Sequence, residues 1–348
     1  MEPRRGRLVP IAWWVVPGLL AAVIALELCR PFRAGPVAFD SAMAVLHFQR
    51  ILEGRHLEAF ITTTPKPLLT AIYGPLFGLT HDWRVLTWAT ILAFAVGVSL
   101  ATALARRLGG WTAGLFAAVA LAGAPTLLFD ASLALATPWA LMLWAIAGLA
   151  VTAARPRYAV AGIALALSSL ARLESLVVVA TLLAVMVLVS VAPGQYRRRV
   201  PRGAWWIGIG LLALPVMIVH DAVLTGDPFF WLSVSAKYTE LTRIRVPRLN
   251  DVAVLLATRY LNEAGLLVLA VIGWIRLAGQ RQWAIAIGLL GLGPGIAAFL
   301  LVLAARHTFV SDRYFAGIDV AVAFAAAVGI KAVSVELPAV ISSWAARR

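Results

Sequence analysis

The sequence predicts an all-α, polytopic transmembrane helix bundle of about ten spans. Three observations carry that prediction. Of the 348 residues, 62% are hydrophobic and only 13% are charged, so the chain has too little polar surface to stand in water as a soluble domain. Uncharged runs of bilayer-crossing length recur along it. The basic residues gather in the short segments on one side of those runs, as the positive-inside rule requires. The runs take up most of the chain, so residues 1–348 read as a single integral membrane domain.

Six runs are long and unbroken: Leu8–Leu26, Val85–Ala105, Trp111–Phe129, Ala131–Ala154, Ala204–His220 and Trp283–Ala305. Tyr158–Ala171 and Ser175–Ala192 form a shorter pair broken by Arg172 and Glu174, which predicts a tight hairpin with its turn at the membrane interface. Val252–Ile275 and Tyr314–Ile330 complete the ten. Trp13, Trp14, Trp111, Trp205, Trp206, Trp274 and Trp283 lie at span ends, where aromatic belts form.

The formal charge of +14 suggests nucleic acid until it is mapped onto topology. With both termini cytoplasmic, sixteen of the thirty Lys and Arg residues fall on short inner loops and tails, opposed there only by Glu2 and Glu336. Bases and acids elsewhere cancel, so the net charge is a topology signal and nucleic acid is not an expected partner. Membrane lipids are. The first run is too long for a typical signal-peptide core, and Leu26-Glu27-Leu28 lacks the small residues of a cleavage site, so the first span is expected to be retained. A single cysteine, Cys29, and five histidines provide neither a disulfide framework nor a Cys/His zinc site.

Two outer segments exceed ordinary connectors: residues 30–84, the first extracytoplasmic loop, and residues 221–251, the second. In the first, Ser41–Glu53 places Ala44, Val45, Phe48, Ile51 and Leu52 on one arc, with His47, Gln49, Arg50 and Glu53 elsewhere, the pattern of an interfacial helix. Gly54 ends it. Leu68–Leu79, behind Pro65 and Pro67, is a second interfacial element, too short to span easily. The second segment sets Phe229, Phe230 and Trp231 beside Lys237, Arg243, Arg245 and Arg248, which suits lipid headgroups or a loop that only seals the bundle.

Nucleotide-binding glycine loops, His-Glu-x-x-His and Gly-x-Ser-x-Gly do not occur. What remains is charge delivered to the outer ends of spans: Asp40 at the interfacial helix, Asp130 between the third and fourth spans, Arg172 and Glu174 in the hairpin turn, and Arg313-Tyr314 before the last span. A carboxylate can act as general base toward a sugar hydroxyl, and Lys or Arg can hold a leaving phosphate. No compact acidic cluster offers to cage a divalent ion, so no metal and no cofactor is expected. Several of these residues have plainer readings. Asp40 could be the N-cap of a helix beginning at Ser41. Asp130 could be an interfacial loop residue, Arg172 and Glu174 a structural pair, and Lys66 and Arg84 could snorkel to headgroups. Arg259 and Glu263 have the i,i+4 spacing of a helix-end pair, and His47 and His56 read as solvated. Asp319, inside the last span, needs a partner, either Arg313 or Arg259.

Asp40 with the amphipathic stretch to Gly54, Thr64-Pro65-Lys66-Pro67-Leu68-Leu69, Phe77-Gly78, Trp83-Arg84 and Arg106-Arg107-Leu108-Gly109 together resemble the N-terminal core of the GT-C glycosyltransferases. The closer likeness is to the bacterial mannosyltransferase and aminoarabinose-transferase-like branch, and Leu170-Ala171-Arg172-Leu173-Glu174 and Arg313-Tyr314-Phe315 are similar to later signatures. The resemblance implies a hexosyl- or pentosyltransferase that takes a sugar from a polyprenyl phosphate and passes it, with inversion, to a glycan, lipid or protein acceptor outside the cytoplasm. It places the first-loop acid on Asp40 and the second-loop acid on Asp130, with Lys66, Arg84, Arg172, Glu174, Arg313 and Tyr314 as substrate- or phosphate-binding candidates. An acidic pair often present in the first loop is here Asp40 followed by Ser41. Two other classes compete: a secondary transporter or lipid flippase, which would favour duplicated halves and mid-membrane charges, and a catalytically inactive scaffold. Arginine-dominated basic residues with abundant Ala, Gly and Val suit a GC-rich bacterial genome, hence a plasma-membrane location.

Overall fold

The structure, a computed structural model, describes residues 8–29, 37–57, 63–191, 200–234, 248–305, 312–336 and 338. Every regular element among them is helical: α1 (Leu8–Cys29), α2 (Phe39–Glu53), α3 (Pro67–Thr80), α4 (Arg84–Ala122), α5 (Pro125–Ser132), α6 (Thr137–Val151), α7 (Tyr158–Ala171), α8 (Ser175–Val191), α9 (Ala213–Thr225), α10 (Leu249–Leu261), α11 (Ala264–Gly279), α12 (Trp283–Leu290), α13 (Ile296–Ala305) and α14 (Ala316–Lys331). A 3-10 segment, Arg202–Leu212, leads directly into α9, and a π-turn at Gly291–Gly295 joins α12 to α13.

The ten apolar runs all fall on helices, but not all as single crossings. Among the described residues, four helices are long and apolar enough to cross a membrane: Arg84–Ala122, Arg202–Thr225, Trp283–Ala305 and Ala316–Ser334. The count rises to six if each of two bent pairs is one span. The expected span Val252–Ile275 is one such pair, α10 and α11, bent by 85° around Asn262 and Glu263. The other is α5 and α6, bent by 117°. That bend falls at Leu133–Ala136, inside the expected span Ala131–Ala154, while the expected span Trp111–Phe129 stops at Ala122 and Pro125 starts α5.

α4 is a helical hairpin. Gly110 (φ 79°, ψ −165°) has a backbone only glycine adopts easily, and a side chain at Gly114 would press on Arg106 and on the Thr102 carbonyl. The two runs Val85–Ala105 and Trp111 onward are therefore antiparallel neighbours. At this turn Lys331 lies near Gly110, the Arg106 guanidinium sits 5.0 Å from the Trp111 ring, and Arg107 reaches the Leu149 carbonyl (3.2 Å) and Thr152 (3.1 Å). The other end of the bundle gathers α2, α3, the start of α4, the α5–α6 loop and the end of α7. There Ala44, Val45, Leu69, Tyr73, Leu86, Ala134, Ala136 and Ala171 form their own buried cluster.

Helix packing is close wherever small residues face each other. Gly273 of α11 and Gly329 of α14 meet backbone to backbone, so any side chain there would collide with the Ala325 or Leu269 carbonyl. A Cβ at Gly74 would fall inside the Phe48 ring, which fixes how tightly α3 lies under α2.

Candidate functional site

α2 begins two residues earlier than expected. Ala38 is the extended N-cap and Phe39 the first helical residue, so Asp40 is not a cap; it lies inside the first turn, where the helix dipole favours a carboxylate. Gly54 ends the helix in the left-handed conformation (φ 63°). Its N–H reaches the Ile51 carbonyl, and the Arg55 N–H that of Arg50. The buried face is Ser41, Met43, Ala44, Val45 and His47, whereas Leu52 is 71% exposed. His47 is thus buried, not solvated as expected; burial, then His220 and then Lys66 push its pKa down to about 3 and keep the imidazole neutral.

Lys66 stands at the N-cap of α3, and its ammonium lies 3.1 Å from Asp40 Oδ2. The pair is 16% exposed at Asp40 and 20% at Lys66. The predicted first-loop acid and a predicted phosphate-binding base are therefore partners.

A second cluster lies deeper. Asp130 on α5 is fully buried; Thr137 at the start of α6 donates to its Oδ2, and Arg172, the C-cap of α7, donates to Thr137. Arg172 Nη1 is 3.8 Å from Asp130 Oδ2, and Nη2 is 3.0 Å from Glu174 Oε1. Tyr314 covers the guanidinium at 5.9 Å. Burial alone works against the Arg172 charge, but Glu174 and Asp130 outweigh it and hold its pKa above the ordinary value. Asp130, Arg172, Glu174 and Tyr314, expected from the sequence, are thus brought together, and Thr137, which no motif marks, joins them.

The loop Leu133–Ala136 links the two clusters. Ala134 has φ 58°, costly for a residue with a Cβ. Its carbonyl accepts from Ser41 Oγ (2.6 Å) and the Tyr73 hydroxyl (2.8 Å), while the Leu133 carbonyl accepts the Ala38 N–H (3.0 Å). Tyr73 also accepts from Trp139 Nε1 (3.0 Å) and lies 2.6 Å from Thr90 Oγ1. α2 and α3, which carry Asp40 and Lys66, are therefore fastened to the same turn that positions Asp130 and Thr137. Tyr73 was legible only as an apolar-run residue; its role depends on what it touches.

One expected pairing changes and another is resolved. Arg259 does not serve Glu263: its Nη2 lies 2.6 Å from Asp319 Oδ2, and Tyr260 donates to Asp319 Oδ1 (2.8 Å), with Thr126 completing the network. A carboxylate inside a span has more to gain from a cation than one at an exposed helix end, and Arg259 settles which partner Asp319 takes. Arg84 is exposed at the first turn of α4, its N–H on Asp82 (2.9 Å), outside both clusters. The side chain of Arg313 lies outside the described residues. Beyond Trp144, whose indole donates to Ser175 (3.1 Å) just after Glu174, an apolar cavity lined by Leu165, Val178, Ile285, Leu289 and Phe324 extends into the bundle.

No protein-family model matches the sequence, and no curated protein matches it significantly. Solved structures do. One is the crystal structure of ArnT from Cupriavidus metallidurans bound to undecaprenyl phosphate, with a TM-score of 0.60 and 17% identity, over 93% of this chain and 60% of that one. Another is the apo oligosaccharyltransferase of Archaeoglobus fulgidus, with a TM-score of 0.57 and 14% identity, over 95% of this chain and 52% of that one. The chain thus spans little more than half the length of either structure. Over that length it is a multi-pass membrane protein with the fold of the GT-C glycosyltransferases.

Proposed function

We propose that the protein is a glycosyltransferase that moves a sugar from a polyprenyl monophosphate to a hydroxyl acceptor at the extracytoplasmic end of the bundle, with inversion at the anomeric carbon and without a metal. The observation that carries this reading is the placement of Asp40 and Lys66 at 3.1 Å, partly open to solvent, beside the buried Asp130–Arg172–Glu174 network. Asp40 takes the proton of the acceptor hydroxyl as that oxygen attacks the anomeric carbon. The bond to the phosphate oxygen breaks on the opposite face, and Lys66 and the Arg172 region hold the leaving phosphate. Lys66 pairs with Asp40 until the phosphate competes for its ammonium. Asp130 acts through Arg172, whose guanidinium it and Glu174 orient. Arg313, adjacent to Tyr314 in the chain, is a further candidate for the phosphate. The undecaprenyl phosphate in the ArnT structure supports a polyprenyl-phosphate donor here, and the apolar cavity beyond Trp144 offers room for part of the isoprenoid chain.

The test is reconstitution in liposomes with a polyprenyl-phosphate sugar and a membrane-lipid extract, followed by mass spectrometry. Consumption of the donor with release of polyprenyl phosphate, undiminished by EDTA, is expected. Movement of the lipid across the bilayer without cleavage would establish a flippase instead.

A further inference from the structure

α9 ends in a pair of residues that neither charged cluster uses. Asp221 is fully buried; its Oδ1 lies 3.3 Å from His220 Nδ1, and its Oδ2 accepts the backbone N–H of Trp231 at 2.7 Å. A buried carboxylate at Nδ1 assigns the imidazole proton to that nitrogen and leaves Nε2 as an acceptor. The His220 side chain is 9% exposed, and among the described residues its Nε2 has no hydrogen-bond partner. The same holds for the buried indole N–H of Trp231. One carboxylate therefore contacts both the residue that carries a buried acceptor and the residue that carries a buried donor, and a buried polar atom left without a partner costs stability.

The place is continuous with the catalytic end. His47 of α2 meets the His220 ring edge to face at 6.4 Å, and the charge of Lys66 acts on His47. The chain after α2 is tied to α9 by the Leu57 N–H on the Leu224 carbonyl (2.7 Å). The ligand that suits such a place both donates and accepts, and carries no negative charge, because Asp221 would repel an anion. An alcohol hydroxyl meets both conditions.

We propose that His220 and Trp231, held by Asp221, form a subsite for a sugar hydroxyl, which donates to His220 Nε2 and accepts from Trp231 Nε1–H. The choice of a sugar rests on the glycosyltransferase reading, so the test is made on binding, not on turnover. The full-length protein in lipid nanodiscs, labelled with ¹⁵N-histidine and ¹⁵N-tryptophan, is titrated with methyl mannoside, methyl arabinoside, sugar-free polyprenyl phosphate and polyprenyl-phosphate mannose. His220 Nε2 is expected to be unprotonated. Its resonance and the Trp231 indole N–H are expected to shift saturably with a sugar and not with sugar-free polyprenyl phosphate.

A response to the free glycoside in protein already loaded with polyprenyl phosphate assigns the hydroxyl to the acceptor; a response only to the lipid-linked sugar assigns it to the donor. His220→Phe should weaken the binding about tenfold, the loss of roughly one hydrogen bond. A protonated Nε2, an equal response to sugar-free polyprenyl phosphate, or no response to any sugar would overturn the inference, and the wild-type spectra decide it even if the variant does not fold. Saturable sugar shifts without turnover would leave the subsite standing and remove the transferase reading; turnover without those shifts would do the reverse.

Discussion

The two charged clusters on either side of the Leu133–Ala136 loop are built on different plans. Asp40 and Lys66 make one contact of 3.1 Å between α2 and the start of α3, and both are partly exposed. Asp130, by contrast, is fully buried, with Thr137, Arg172 and Glu174 around it and Tyr314 over the guanidinium. A solvent-accessible pair contributes little to stability and can exchange one partner for a substrate at small cost. A buried network cannot, because removing one member leaves a charge stranded in a medium that does not solvate it. In the proposed reaction this contrast suits Asp40 and Lys66 to proton transfer and exchange of partners, and Asp130 and Glu174 to holding Arg172 in a fixed geometry.

Asp40→Asn tests the open cluster most directly. It keeps the size and polarity of the side chain, and turnover of a polyprenyl-phosphate sugar should fall about 10²–10⁴-fold. Unfolding stability in detergent should change less than in Arg172→Ala, since Lys66 and Asp40 keep more contact with solvent, at 20% and 16% exposure, than the fully buried Asp130. Full turnover in Asp40→Asn would move the base elsewhere and erase the functional half of the comparison.

Arg172→Ala tests the closed cluster, and its effect should appear in stability. Stranding Asp130 and Glu174 is expected to cost about 3–5 kcal/mol, read as a lower thermal midpoint and loss of monodisperse protein in detergent. A variant as stable as the parent, deficient only in turnover, would show that Arg172 acts on the substrate alone and that the buried network is not structural.

The most gradual effect, spread over several pH units, concerns His47, buried and neutral under α2. Its pKa is about 3 in the folded protein and near 6.5 when unfolded, so between those values the unfolded chain binds the extra proton. Stability should therefore fall as the pH drops from about 6.5 toward 3, by at most about 1.4 kcal/mol per pH unit from this group. His47→Gln should flatten that slope, measured as thermal midpoint against pH. An unchanged slope would mean that His47 is solvated, and that α2 lies less tightly on the bundle than its partners indicate.

Much of this arrangement was legible in the sequence. The hairpin turn at Arg172 and Glu174, the end of α2 at Gly54, the turn after Arg106-Arg107 and the short α3 behind Pro65 and Pro67 all follow from local chemistry: apolar length, glycine where the backbone is left-handed, and proline where a helix begins. Which polar side chains meet was not legible. His47 sits on the polar arc of α2 when read against a membrane surface, yet α9 covers that arc, and periodicity gives no account of a partner 173 positions later in the chain. Arg259 has an acid four residues on and takes the one on α14 instead. The break in α5–α6 left Pro125 and Pro138, in the first turns of the two helices, as its signals, because Ala134 has no residue-type mark of its left-handed backbone.

By itself the sequence determined that the chain is built of apolar helices and where its apolar runs lie, because the transfer of apolar groups between water and hydrocarbon depends on composition along the chain alone. It also determined where helices stop, through glycine and proline. Only the tertiary structure decided which charges are open and which are closed. Burial and partnership arise from helices distant in sequence meeting at one end of the bundle, and the energy of a charge depends on the neighbours that replace its water.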